Sequence, residues 1–300
     1  MAQLSTESSV DREQETTIPS IGFGTYRTGG YECYNAVTKA LEMGYRHIDT
    51  AMAYENEAAV GRAIANSTVS REELFLTTKI KGYPEMVEYD RLISAANGCA
   101  DRLGVESLDL VLVHWWNPEA DMEATFDALN TLVDDGLVGR IGVSNFSVGE
   151  LERARQLSDA PIATNQVEYH PHFGNHDVIS YCQENDITVT AYSPLAGGRL
   201  VGNDVLDAIG DRYAKTGAQV AIRWLIQQEN VVTIPKAVTP EHMRANLDVF
   251  DFELSAYEME KIGDLEEPFW PRENREGGYV YRARSVLGKL MPDGAYERFA

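Results

Sequence analysis

From Ile18 to Asp248, short apolar or β-branched runs alternate with longer helical patterns eight times, and this rhythm limits the possible folds more than any other feature of the chain. The runs are IGFGTY, YRHIDT, LFLTTK, LDLVLVH, GRIGVS, IATNQVEY, ITVTAYS and VVTIP. The helical patterns after them cover 31–43, 56–66, 87–103, 121–135, 148–157, 175–185, 203–215 with 217–229, and 240–248. Parallel strands need helical crossovers, and eight of them close without an edge, so the spacing predicts an α/β fold of the (β/α)8 TIM-barrel type. A doubly wound open sheet is the competing architecture. Its dinucleotide fingerprint is absent: Gly22-Phe23-Gly24-Thr25-Tyr26-Arg27 has Arg27 where a third glycine belongs, and there is no Walker sequence. Residues 1–17 are polar and without a period, and read as a flexible acidic tail. Residues 18–265 read as the barrel. Residues 266–300 read as a loop or tail whose Phe269, Trp270, Tyr279 and Tyr281 suit it to fold over the catalytic mouth.

The 300 residues, 44% of them hydrophobic, can fill such a barrel. They carry 47 Asp and Glu against 26 Lys and Arg, and the net charge of −21 argues against nucleic acid or an anionic membrane as partner. The acid is spread along the whole chain and only seven lysines are present, the pattern of a surface kept soluble at high ionic strength. A halophilic host is therefore expected, with an ordinary acidic cytosolic enzyme as the alternative. Cys33, Cys99 and Cys182 lie far apart without a CxxC, which fits a reducing cytoplasm. The opening MAQLSTESSVDREQETT has no apolar h-region and no run of 18 apolar residues follows, so neither a signal peptide nor a membrane span is expected. The sequons at Asn66 and Asn145 then carry no meaning as glycosylation sites. The expected partner is a small molecule, and the chain is expected to act as a monomer or weak dimer.

In a barrel the chemistry sits where strands end. Asp49 and then Tyr54 follow the second run, Lys79 closes the third and His114 the fourth. Ser144 and Asn145 close the fifth, Gln166 lies at the end of the sixth, Tyr192 and Ser193 end the seventh, and Lys236 the eighth. Each has an ordinary reading: Asp49 as a helix cap, Tyr54 as a packed aromatic, Lys79 as a solvated end, His114 as a core histidine. Four titratable types on adjacent strand ends nonetheless mark a site. A lysine cation beside a tyrosine lowers the phenol's pKa, so Lys79 is expected to make Tyr54 a better acid, with Asp49 holding Lys79 and His114 orienting a substrate oxygen. This suits protonation of a carbonyl oxygen as a hydride reaches its carbon. No side chain supplies a hydride, so a nicotinamide is implied.

The sequence also resembles the aldo-keto reductase family, prokaryotic members such as diketogluconate and aldehyde reductases above all. The resemblance runs from about Ile18 to Trp270. It is carried by GFGTY at 22, GYRHIDTAMAYENE at 44, REELFLTTK ending at Lys79, LDLVLVHW at 108, GRIGVSNFS at 139, NQVEYHP at 165, AYSPLAGG at 191 and IPKAVTPEHMRANLDVFDFELS at 234. It implies that Asp49, Tyr54, Lys79 and His114 are the catalytic tetrad, with Tyr54 the general acid in NAD(P)H-dependent reduction of an aldehyde or ketone. It also implies NADPH, with NADH as the alternative, lying extended across the mouth. Tyr192 would stack on the nicotinamide, Ser144, Asn145 and Gln166 would hold its carboxamide, 193–199 with Ser193 and Leu195 would line the pyrophosphate, and Lys236 would meet the 2′-phosphate. Thr25, Asp49, Val238, His242 and Asn246 complete the implied cofactor contacts. Tyr26, Tyr83, His114 and Trp115 are the implied substrate contacts, with Trp116 and Trp270 as further pocket walls.

The chain departs from the family pattern in places. Ala237 follows the IPK lysine where a serine is common, and His242 stands where a phosphate-binding arginine is common, with Arg244 two residues on. A neutral histidine is the weaker anion partner, which bears on NADPH against NADH. The segment 115–121 is shorter than the animal members' loop, and a hairpin-turn signal before Ile18 is missing. Lys81 stands where relatives often have an aromatic, a hint of a charged substrate such as a keto acid against the reading of an exposed loop lysine. Three other functions compete. His170-Pro-His172 with His176-Asp177 resembles a metal-ligand cluster, although YHP is an ordinary loop in this family, and no metal is expected. A Schiff-base aldolase using Lys79 would leave Tyr192, Asn145 and Lys236 without roles. A cofactor-binding regulatory protein with little catalysis is the third, and the intact tetrad argues against it.

Overall fold

The computed structural model describes residues 18–267. Its elements run β1 (Phe23–Gly24), α1 (Gly30–Glu42), β2 (His47–Asp49), α2 (Glu57–Ala65), β3 (Phe75–Ile80), α3 (Pro84–Val87), α4 (Tyr89–Leu103), β4 (Leu110–Val113) and α5 (Met122–Asp134). Then come β5 (Ile141–Ser144), α6 (Val148–Leu157), β6 (Ile162–Glu168), α7 (His176–Glu184), β7 (Thr188–Tyr192), α8 (Asp204–Tyr213), α9 (Gly217–Ile226), β8 (Val231–Thr233), α10 (Pro240–Leu247) and α11 (Ala256–Gly263). The strands pair in parallel, in chain order from β1 to β8. A parallel bridge between Ile21 and Thr233 closes the circle. There Gly22 N–H donates to the Thr233 carbonyl at 2.8 Å, and Thr233 N–H to that of Ser20 at 2.9 Å. The (β/α)8 barrel expected from the sequence is the fold.

Two differences are local. The run IGFGTY yields a strand of only two residues, because its ends make single seam contacts instead of a continued ladder. Helix α11 lies beyond the repeating pattern; a capping box of Ser255 and Glu258 starts it, and Glu258 accepts from Tyr213 Oη at 2.7 Å and Arg212 at 3.1 Å, docking it on α8. The expected N-terminal tail 1–17 and the aromatic segment with Phe269, Trp270, Tyr279 and Tyr281 lie outside the described residues. Glu266 and Glu267, expected to begin the terminal segment, are held by the loop before α7: Gly174 N–H and His176 Nε2 meet the Glu266 carboxylate, and Glu267 N–H donates to the His172 carbonyl.

Side chains alternate across a strand, so one in two points into the barrel. On β3 the inward line is Phe75, Thr77, Lys79; on β4 it is Leu110, Leu112 and then His114. Phe75, Leu110 and Leu112 form a small apolar cluster of their own, apart from the large core that fills the space between strands and helices. Glycines clear this narrow lumen. A Cβ on Gly142 would lie 2.7 Å from Leu112 Cδ2, and one on Gly22 would lie 2.5 Å from His47 Nδ1. The lumen is thus apolar at the bottom and turns polar toward the strand ends.

His47 sits low in this lumen, 1% exposed, against the Phe75 ring and within 3.0 Å of Thr77 Oγ1. Burial lowers its pKa to about 4 from the ordinary 6.5, despite the nearby Asp49 carboxylate. The unfolded chain therefore binds a proton there that the folded barrel refuses. Stability is unaffected above pH 6.5 and falls as the pH drops toward 4, by up to about 3 kcal/mol for this one group. Denaturant unfolding at pH 7.5 and pH 5 should show that loss shrink in His47→Gln. An undiminished loss in the variant would assign the acid sensitivity to other groups.

Candidate active site

At the mouth the inward lines end on titratable groups. Lys79 is fully buried, and its Nζ donates to Asp49 Oδ1 at 2.6 Å, to the Thr50 carbonyl at 2.9 Å and to Tyr54 Oη at 3.4 Å. An ammonium has three protons, and all three are engaged. The second carboxylate oxygen of Asp49 accepts from Gln166 Nε2 at 2.8 Å. Lys79 is therefore a bound cation with no free amine, which removes the aldolase reading. Tyr54 ends a 3₁₀ turn (Met52–Tyr54) that Glu55 reverses with a φ of 55°. Its ring lies edge-on to His114 at 5.7 Å and tilted against Tyr26 at 5.0 Å.

The electrostatics correct one expectation. Burial pushes the Tyr54 phenol well above its ordinary range, and the Asp49 carboxylate adds to the rise. Burial and the Asp49 carboxylate outweigh the Lys79 cation 3.4 Å from the phenol oxygen, so the group stays protonated. Burial also drives His114 well below its ordinary value, with Lys79 and Lys81 acting the same way, so its imidazole is neutral at physiological pH. Lys79 itself is lowered by burial, which the Asp49 carboxylate partly offsets. The arrangement is a protonated phenol and a neutral imidazole above a buried ion pair.

These groups open into a cleft of about 450 Å³. Of the tetrad, Asp49, Tyr54 and His114 line it, and Lys79 lies beneath. Ser144, Asn145, Gln166, Tyr192, Ser193, Leu195 and Lys236 line it as well, with Tyr26 beside Tyr54 and Trp115 beside His114. Their hydroxyls and amides are interlinked: Ser144 Oγ donates to the Gln166 carbonyl at 2.8 Å, Asn145 Nδ2 to the His114 carbonyl at 3.1 Å, and Tyr192 Oη to Asn145 Oδ1 at 3.0 Å. Asn145 and Ser193 hold left-handed backbone with φ of 62° and 53°, conformations that persist only where surroundings enforce them.

Other expected contacts lie elsewhere. Thr25 is buried with its Oγ1 on the Asp49 carbonyl at 3.0 Å. Asn246 is buried against the Tyr45 hydroxyl. Val238 and His242 are exposed around the first turn of α10, outside the cleft lining. Tyr83 is 37% exposed on the rim, edge-on to Trp115 at 5.4 Å. Trp116 packs with Phe146 in the main core; it lies past the end of β4, where the chain has left strand geometry and strand alternation no longer sets the facing of its side chains. His172 and His176 pair with Glu267 and Glu266 respectively, and among the described residues no three His, Cys, Asp or Glu side chains are arranged to hold a metal ion. Trp270 lies outside the described residues.

Sequence reading missed Arg27 as a cleft cation, its guanidinium 5.3 Å from the Tyr26 ring centroid. It also missed Asn56, 1% exposed, whose amide donates to the Thr25 and Thr28 carbonyls at 2.9 Å each and accepts from Thr50 Oγ1 at 2.7 Å. Asn56 ties the loop bearing Tyr26 and Arg27 to the turn bearing Tyr54. Beside it, buried Glu57 accepts from Thr78 Oγ1 at 2.6 Å and Arg102 Nε at 2.7 Å, fixing α2 to β3 next to Lys79. The signal was present in the polar pair after Tyr54, NE, at the head of a helix.

Comparison with known proteins agrees with this geometry. The aldo/keto reductase family description matches residues 20–267. An aldo-keto reductase of Mycolicibacterium smegmatis is 43% identical over 251 residues, 83% of this chain and 90% of that protein. The glyoxal reductase of Bacillus subtilis is 40% identical over 250 residues, 83% of this chain and 89% of its own. The solved structure of an aldo-keto reductase enzyme from a Medee basin deep-sea metagenome library superposes with a TM-score of 0.80 at 40% identity, over 89% of this chain and 99% of that one.

Proposed function

Because the chain belongs to the aldo/keto reductase family, whose members reduce carbonyls with NAD(P)H, we propose that it reduces an aldehyde or ketone to the alcohol using NADPH, with Tyr54 as the proton donor. The observation that carries this reading is the contact of Tyr54 Oη with Lys79 Nζ at 3.4 Å, above an ion pair clamped from both sides. The nicotinamide cofactor supplies a hydride when bound. The donor set suits it: Ser144, Asn145 and Gln166 offer hydroxyl and amide groups for a carboxamide, and Gln166 keeps its Oε1 as acceptor while its Nε2 serves Asp49. Tyr192 offers an aromatic face. The glycines of the 193–199 loop leave open space, since a Cβ on Gly197 or Gly198 would meet nothing within 4 Å. Lys236 offers a cation to a phosphate.

In this mechanism Tyr54 and the neutral His114 hold the carbonyl oxygen by hydrogen bonds and polarise it. As negative charge develops there, the Tyr54 proton moves to it, since an alkoxide is far more basic than a phenolate even where burial raises the phenol. Lys79 then stabilises the phenolate across the 3.4 Å contact, and Asp49 with Gln166 keeps Lys79 in place. Tyr26 and Trp115 exclude water on the substrate side.

The deciding assay is NADPH and NADH consumption by the purified protein in concentrated KCl against aldehydes, diketones and keto acids. NADPH-dependent turnover is the expected result. An intact fold that binds NADPH and turns over none of them would favour the regulatory reading instead.

The same acidity underlies a second part of the proposal, a reductase of the reducing cytoplasm in a halophilic host. It rests on the net charge of −21 and on three free, buried cysteines. Among the described residues, no helix is long and apolar enough to cross a membrane. Self-repulsion of a surface this acidic is screened as the Debye length falls from about 10 Å at 0.1 M salt to about 3 Å at 1 M. Melting temperature should therefore climb steadily with KCl over that range, and a flat profile would remove the halophilic assignment.

A further inference from the structure

We infer that Asn56 is a positioning residue for proton transfer, setting where the Tyr54 hydroxyl and the Lys79 cation stand relative to each other. The inference rests on the reductase reading above and adds to it a residue outside the cleft lining.

Asn56 stands at the head of α2, where an asparagine ordinarily caps its own helix through its side-chain oxygen. Here it makes no such bond. Its backbone carbonyl accepts from the Ala59 and Val60 N–H groups at 2.9 and 3.0 Å, and the buried amide is turned away from the helix onto Thr25, Thr28 and Thr50. Both amide protons and the amide oxygen are engaged there. The helix forgoes a stabilising cap, and the bonds go instead to the loops at the barrel mouth.

These bonds bear on the proton donor from two sides. Thr50 Oγ1 donates to Asn56 Oδ1 at 2.7 Å and closes residues 50–56 into a ring that contains Tyr54. The Thr50 carbonyl, in the same ring, accepts from Lys79 Nζ at 2.9 Å. Both ends of the Tyr54–Lys79 contact are therefore fixed relative to one side chain. Within the ring Glu55 has a φ of 55°, a left-handed conformation that a non-glycine residue keeps only where its surroundings enforce it. On the other side, the bonds to the Thr25 and Thr28 carbonyls pin the turn bearing Tyr26, whose ring packs against Tyr54 at 5.0 Å. The bracket has a firm base, because the adjacent Glu57 anchors the head of α2 to Thr78 on β3 and to Arg102 on α4.

The contact held by this bracket has little slack. Tyr54 Oη lies 3.4 Å from Lys79 Nζ, beyond the usual upper end of about 3.2 Å for such a bond, whereas the other two bonds of the ammonium measure 2.6 and 2.9 Å. A small displacement of the 50–56 turn loses the phenol first and leaves the ion pair intact. Misplacing the proton donor in this way acts on the chemical step, not on the affinity for substrate.

The test is a double-mutant cycle on kcat at saturating NADPH and aldehyde, measured per folded molecule and well below the melting temperature. Asn56→Ala should lower kcat about 10- to 100-fold, as expected for a misplaced reacting group. In a Tyr54→Phe background the same change should lower it by less than about twofold, because the group that Asn56 positions is gone. A role confined to holding the fold together predicts an unchanged kcat per folded molecule or an equal loss in both backgrounds, and either result overturns the inference. If Asn56→Ala does not fold, a pair of Thr50 variants decides. Thr50→Val keeps the shape and the carbonyl on Lys79 but removes the donor to Asn56, and should lower kcat about three- to tenfold, the effect of losing one hydrogen bond. Thr50→Ser keeps the donor and should stay near the wild type; equal rates in the two overturn the inference as well. Failure of the wild type to reduce any aldehyde would remove the reductase reading itself, a result distinct from a wild type that turns over and an Asn56→Ala that matches it.

Discussion

Tyr54→Phe is expected to lower kcat for carbonyl reduction about 10²- to 10⁴-fold, the range associated with loss of a positioned general acid, while leaving NADPH affinity unchanged. Phenylalanine keeps the ring that packs against Tyr26 and His114 and removes only the oxygen 3.4 Å from Lys79 Nζ. Stability should therefore change little, and NADPH titration by fluorescence would confirm that the site is intact. A pH profile sharpens the test. The phenol's pKa is raised by burial and by Asp49, so the protonated form persists through and beyond the ordinary tyrosine range. The wild-type reduction rate should not decline between pH 7 and 9 through loss of this proton. Turnover in the variant comparable to wild type would exclude Tyr54 as the acid, and a decline in that pH window would point to a different one.

How far the sequence led can be seen residue by residue. The inward line on β3 was legible because strand alternation and eight-fold rhythm are both local patterns, so Lys79 and His114 could be placed at strand ends before any contact was known. What local patterns do not contain is which partner a polar group takes. Gln166 was read as a carboxamide ligand, yet its Nε2 also completes the coordination of Asp49 from a residue far away in sequence. The expectation that Lys79 would bring the Tyr54 phenol below its ordinary range did not hold for the same reason: the sequence lists the groups without saying that the phenol is buried and that Asp49 also acts on it, and these outweigh the cation. Trp116 was grouped with Trp115 as a pocket wall, but the loop path after β4, which local sequence patterns do not contain, turns it onto Phe146 in the core. Asn56 shows the limit most clearly, because its three hydrogen bonds to Thr25, Thr28 and Thr50 depend on two loops meeting.

The buried pair offers the second large effect. Lys79→Met leaves Asp49 as an uncompensated carboxylate in the lumen, and Asp49→Asn leaves Lys79 as a cation with only neutral partners. Each single change should destabilise the fold by about 3–5 kcal/mol. Asp49→Asn should also let Lys79 lose its proton more readily, since burial already lowers its pKa and the carboxylate is the main influence opposing that. Because each single variant contains the other's stranded charge, the double variant Asp49→Asn/Lys79→Met should be less destabilised than the sum of the two, by more than the few tenths of a kcal/mol that independent sites show. Denaturant unfolding of the four proteins measures this coupling directly, and simple additivity would mean that the 2.6 Å pair contributes nothing specific. Activity should behave differently. Removing Lys79 removes the cation beside the Tyr54 oxygen, so the double variant, though partly restored in stability, should stay as inactive as Lys79→Met. Recovery of activity together with stability would mean that the pair acts only by holding the barrel together; stability returning without activity assigns the cation a direct part in proton transfer.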